Sequence, residues 1–122
     1  SYIDEMTEHI PPESVILANT DKEVFSLWYN QFILHPELNI KVIAIPLIQY
    51  DWYRSQIQLL FPETVPELSK YDLLANVSDI VKYNNSNNVV VYTTAYNAHW
   101  DPELLTEIII NGKLYELILN TE

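Results

Sequence analysis

Residues Ser14 to Tyr29, SVILANTDKEVFSLWY, admit few backbone arrangements. Val15, Ile16 and Leu17 form a short apolar, largely β-branched run of the kind that lies inside a sheet. Asn19, Thr20 and Asp21 end that run at once. Thr20 and Glu23 have the spacing of a capping box, in which the hydroxyl accepts a helix N–H and the carboxylate reaches back to the cap's own N–H. Val24, Phe25, Trp28, Tyr29, Phe32 and Ile33 then recur at helical spacing. The stretch therefore reads as strand, polar turn and helix. It sets a polar cluster at the carboxyl end of a strand, where open α/β sheets usually bind ligands.

The rest of the chain repeats this alternation. Residues 1–13 are a lead-in, with Tyr2, Ile3 and Met6 able to form one amphipathic turn before Pro11-Pro12 stops any helix. Residues 14–122 make a single α/β domain. Strand one is expected over 14–19 and helix one over 21–34, with the break at His35-Pro36-Glu37. Strand two is expected from Ile40 to Leu47, and helix two over 51–61, with Asp51 as its N-cap. Tyr53, Ile57, Leu60 and Phe61 share one side of that helix. A third helix is expected over 66–83, striped by Leu73, Val77, Ile80 and Val81, with a turn at 84–88. Strand three spans Val89 to Thr94. Leu104 and Leu105 suit a short helical turn. Ile108 to Ile110 and Lys113 to Leu119 form a hairpin through Asn111-Gly112, the preferred type I′ pair. The order predicts a small three-layer α/β domain. Its sheet is expected to be mostly parallel, in order 2-1-3, with a C-terminal antiparallel hairpin.

Charge and composition exclude several functions. The chain has 122 residues, with 17 acids against 6 bases, for a net charge of −11. Such a surface opposes nucleic acid, which needs bases to neutralise phosphate, and opposes anionic lipid headgroups. The absence of cysteine removes disulfides, thiolate nucleophiles and zinc–sulfur sites. A single glycine leaves no Gly-rich phosphate loop. No apolar run reaches the roughly 18 residues that span a bilayer. The first residue is Ser rather than Met, which suits a processed protein or a piece of a longer one.

If the strands are parallel, three loops meet at one end of the sheet. The first carries Asn19, Thr20, Asp21 and Glu23. The second carries Tyr50, Asp51 and Trp52. The third carries Thr93, Thr94, Tyr96, His99 and Trp100. Carboxylates with a histidine suit a divalent cation or sugar hydroxyls. The aromatic set Trp28, Tyr29, Tyr50, Trp52, Tyr53, Tyr96 and Trp100 suits stacking on sugar rings. The same acids are also what helix N-termini take as caps, and the same aromatics suit a core, with Trp28 in mid-helix expected there. No nucleophile–base order stands out, so no catalytic residue, metal or cofactor is assigned. Asn76-Val77-Ser78 and Asn84-Asn85-Ser86 fit the N-glycosylation pattern.

Five pieces of the chain form an ordered pattern. Asn19-Thr20-Asp21-Lys22-Glu23-Val24-Phe25-Ser26-Leu27-Trp28-Tyr29 resembles N-G-D-N-D-T-F-x-L-W-Y. Val42-Ile43-Ala44-Ile45-Pro46-Leu47 and Tyr50-Asp51-Trp52-Tyr53 resemble a strand V-V-N-x-x-L-L and a following D-W-Y. Asn88 to Thr94 and Gly112-Lys113-Leu114-Tyr115-Glu116-Leu117 resemble R-P-V-Y-F-T and G-x-x-Y-R-L. In this order, over about residues 11–119, they resemble a segment of the protein O-mannosyltransferase-like members of the GT-C glycosyltransferase class. The chain departs from that pattern at Thr20, Glu23, Val24 and Asn88-Val89. The acidic residue that acts in sugar transfer lies, in that class, in an early loop of the membrane part. The resemblance therefore implies a non-catalytic, extracytoplasmic domain of a multi-spanning, lipid-linked-sugar-dependent transferase. Its implied partners are the membrane-embedded part of the parent chain and a glycan or protein acceptor. A free-standing carbohydrate or small-molecule binding module is the other reading of the same strand-end loops.

Overall fold

The computed structural model describes residues 8–95, 104–110 and 113–119. Strand β1 (Val15–Ala18) is followed by helix α1 (Asp21–Tyr29), a π-helical turn (Asn30–Leu34) and a 3₁₀ turn (Pro36–Leu38). Strand β2 (Lys41–Ala44) leads through a second 3₁₀ turn (Ile45–Leu47) into helix α2 (Asp51–Leu60). Helix α3 (Leu73–Asn85) precedes strands β3 (Val91–Thr93), β4 (Leu104–Ile110) and β5 (Leu114–Leu119).

All four β1 side chains are buried, which a strand achieves only at the centre of a sheet covered on both faces. The sheet order is β2-β1-β3-β5-β4. Strand β1 runs parallel to β2 and β3, whereas β5 is antiparallel to both β3 and β4. The sheet is therefore mixed rather than mostly parallel, and its order extends beyond 2-1-3. A closely connected strand pair is antiparallel of necessity, and β5, not β4, is the member that pairs with β3. The crossovers from β1 to β2 and from β2 to β3 run in opposite directions across the sheet. Right-handed connections then place their helices on opposite faces. Helix α1 packs on β1 and β2, while α3 packs on β3 and β5.

Local sequence explains where the elements differ from expectation. Strand β2 ends at Ala44 because Pro46, which has no N–H to donate, opens a 3₁₀ turn at Ile45–Leu47. Helix α3 begins at Leu73, not 66, because Asp72 caps it by accepting the Ala75 N–H at 2.9 Å. Residues 66–72 instead form a loop pinned by Asn76, whose amide donates to the Ser69 carbonyl and accepts the Ser69 N–H. Leu104 and Leu105 belong to β4 and not to a helical turn. Tyr50, not Asp51, is the N-cap of α2, and Asp51 lies in its first turn. The Asn111-Gly112 turn and the amphipathic lead-in at Tyr2, Ile3 and Met6 lie outside the described residues.

The edge of β2 is closed by a side chain. The Ala44 N–H donates to the Tyr53 phenol oxygen at 2.7 Å, so α2 covers a backbone group that an edge strand would otherwise expose. Burial pushes the Tyr53 phenol above its usual range, against the opposing effect of that hydrogen bond.

Both glycosylation-pattern asparagines are internal. Asn76 and Asn84 are buried, and Asn84 Nδ2 donates to the carbonyls of Thr64 and Ile80. The folded domain presents neither to a transferase.

Candidate functional site

The polar residues at the carboxyl ends of β1 and β3 do meet. The Asn19 N–H donates to Thr94 Oγ1 at 3.0 Å, and Asn19 Nδ2 reaches Thr93 Oγ1, Thr94 Oγ1 and the Leu17 carbonyl. Thr94 Oγ1 in turn donates to Glu23 Oε1 at 3.0 Å. The same carboxylate oxygen accepts the Thr20 N–H and hydroxyl, while the Glu23 N–H donates to Thr20 Oγ1. The capping box is thus present in full, and it is extended into the sheet by Thr94. The cluster ties β1, α1 and β3 together.

The other proposed site residues stand apart from it. Asp21 is exposed in the first turn of α1 and has no side-chain partner among the described residues. Asp51 is ion-paired with Arg54 one turn along α2. Arg54 also donates to the Ile48 carbonyl at 2.7 Å. Among the described residues, no hydrogen bond joins Tyr50, Asp51 or Trp52 to the Asn19 cluster. Tyr96, His99 and Trp100 lie outside the described residues. No group of three or more His, Asp or Glu among the described residues is placed to hold a metal ion.

A second feature lies on the outer faces of the helices. Only Val24 and Leu27 of α1 are buried. Phe25, Tyr29, Phe32 and Ile33 are 66%, 57%, 62% and 62% exposed. Trp28 is not fully in the core: it is half-buried and packs on the core's edge, with Phe25 edge-on to it at 5.8 Å. In α2, Tyr53 and Ile57 are buried but Leu60 is 59% exposed, and Leu73 at the start of α3 is exposed as well.

Between α1 with its π turn and α2 runs an apolar groove of about 250 Å³. Its floor includes Val42 and Ile57, and its walls include Trp28, Phe32, Trp52, Leu60 and Phe61. Trp52 is fixed in place by stacking on Tyr50 at 6.2 Å and meeting Tyr53 edge-on at 5.6 Å. Gln31 and Gln56 supply the polar lining. Gln31 is 7% exposed, and its side-chain amide has no hydrogen-bond partner among the described residues. The adjacent Asn30 Nδ2 is also buried without one. Both residues sit at the π turn, closed by the His35 N–H donating to the Asn30 carbonyl at 2.7 Å. Such turns recur at functional sites because they rotate side chains off the helical register.

The strand-end motifs do not mark this groove. The signal that marks it is the absence of charge from Val24 to Leu34 and again from Ser55 to Phe61, in a chain of net charge −11. A solvated helix face ordinarily carries charged residues.

No helix among the described residues is long and apolar enough to cross a membrane. The family model described as TMEM260-associated domain 2 matches residues 1–108. No curated protein and no solved structure matches the chain.

Proposed function

The chain belongs to the TMEM260-associated domain 2 family, and from that premise we propose that it is a non-catalytic accessory domain of a multi-spanning, glycosyltransferase-like membrane protein. The observation that carries this reading is the family match itself, which ties the domain to a membrane protein. The ordered resemblance to protein O-mannosyltransferase-like proteins supplies the chemistry of the parent. Two structural features support it. The polar atoms gathered at the sheet end are engaged with one another, and a large uncharged face on α1 and α2 is left uncovered. A domain of this kind sits on the extracytoplasmic side, beside the membrane-embedded part of its parent. There it holds acceptor or glycan near a reaction performed elsewhere.

The test compares the full-length parent in lipid nanodiscs with the 122-residue chain alone. Both are offered polyprenyl-phosphate-linked hexoses and a peptide acceptor. Transfer by the parent and none by the isolated chain is expected. Robust transfer by the isolated chain overturns the reading.

The gathering of Asn19, Thr93, Thr94 and Glu23 at one sheet end favours a second reading, a carbohydrate-binding module. It requires amide-resonance shifts clustered at residues 19–23 and 93–94 when sugars are added. Shifts elsewhere, or none, count against it.

A further inference from the structure

We propose that the groove between α1 and α2 is a docking site for an amphipathic helix whose apolar stripe is flanked by lysine or arginine. The proposal does not depend on the parent's chemistry. It rests on the shape, the polarity and the charge of one face.

Shape comes first. The groove is walled by two helical segments, the arrangement in which a third helix lays its apolar side chains. At about 250 Å³ it has room for a few anchoring side chains. On the same two helical segments Phe25, which meets the lining residue Trp28 edge-on, and Tyr29, Ile33 and Leu59 are each more than half exposed. Exposed apolar area gathered in this way marks an interaction surface.

Charge then selects among occupants. The two helical segments are uncharged along their middles and acidic at their ends. The exposed Asp21 and Glu37 bracket the first, and the exposed Glu63 follows the second, whereas Glu23 and Asp51 are engaged with Thr94 and Arg54. Of the nearby bases, Arg54 is committed to Asp51 and the Ile48 carbonyl, leaving Lys22. A second copy would bring acidic rim against acidic rim, and an anionic bilayer would be repelled in the same way. A helix with basic residues beside its apolar stripe meets complementary charge. The Gln31 amide in the groove lining offers such a helix a polar contact, since its oxygen accepts from a guanidinium or ammonium.

The test uses the 122-residue chain and three synthetic peptides of about 18 residues, roughly five helical turns. One carries Leu at i, i+3, i+4 and i+7 with Lys elsewhere. The second has the same composition scrambled to remove the stripe. The third replaces Lys by Glu. In ¹H–¹⁵N titrations the striped Lys peptide is expected to move Gln31, Phe32, Trp52 and Leu60 saturably. The scrambled and Glu peptides are expected to bind at least roughly tenfold more weakly, as is the striped peptide to Phe32→Ser and Trp52→Ala variants. Tyr71→Ser, on the exposed loop before α3, should leave binding unchanged. Circular dichroism confirms that each variant is folded. Equal binding of the scrambled or Glu peptide overturns the proposal, as does a groove whose resonances stay still. Concentration-dependent dimerisation through the same residues would assign the face to a second copy. Competition by zwitterionic vesicles, with no competition by the peptide, would assign it to a bilayer. Either result also overturns the proposal.

Discussion

Glu116 shows how one residue can carry a pH dependence for the whole domain. In the β4–β5 register it stands directly opposite Glu107, and across β3–β5 it faces Tyr92. Burial first, and then the Glu107 charge, raises its carboxyl above the usual range. The folded state therefore binds this proton more tightly than the unfolded state. Any stability it contributes is present below the ordinary carboxylate range and is lost as pH rises through the folded value. Glu116→Gln is expected to stabilise the domain at neutral pH by about 0.2–1 kcal/mol, the scale of a cross-strand pair. The gain should vanish near pH 4. Urea unfolding at the two pH values checks it, and an equal gain at both would contradict it. Glu13 has the opposite sign: its hydrogen bond from Lys41, then that from Asn39, lowers its carboxyl. Its contribution is present at neutral pH and lost as pH falls. Neither pair was legible in the sequence, because both depend on register between distant segments. The capping box was legible, because Thr20 and Glu23 are local.

At the scale of elements, periodicity located the helices better than it oriented them. The apolar residues of the first helix fall on two adjoining stripes. Val24 and Leu27 turn inward, whereas Phe25 and Tyr29 turn outward. Spacing alone does not choose between them, and the π turn after Tyr29 shifts the register again. The choice is made by β1 and β2, on which α1 packs. Leu27→Ala is accordingly expected to cost about 2–5 kcal/mol, as a buried truncation does. Phe25→Ala should stay within about 0.5 kcal/mol, as surface changes do. Comparing the two in one denaturation series tests the assignment, and a larger loss at Phe25 than at Leu27 would reverse it. Proline positions were informative at helix ends but misleading inside β2, where Pro46 marks the strand's exit rather than its interior.

For the whole molecule, the alternation of strands and helices was enough to give the α/β class. It was not enough to give the balance of parallel and antiparallel pairing, which depends on which hairpin strand docks beside β3. The candidate strand-end site was legible in part: Asn19, Thr20, Glu23, Thr93 and Thr94 converge through the topology of β1 and β3. Asp51 and Trp52 are drawn instead to α2 and the groove, because α2 packs at the edge of β2. The groove carries no chemical motif, since it is made of uncharged residues that also suit a core. We propose that the exposed apolar face of this TMEM260-associated domain serves association within a larger membrane protein. The most direct test is to sequence the parent reading frame upstream of Ser1 and plot its hydropathy. Several runs of about 20 apolar residues, with a polar loop bearing paired acids after the first, are predicted. A frame that begins near Ser1, or that carries a signal peptide alone, would contradict the account.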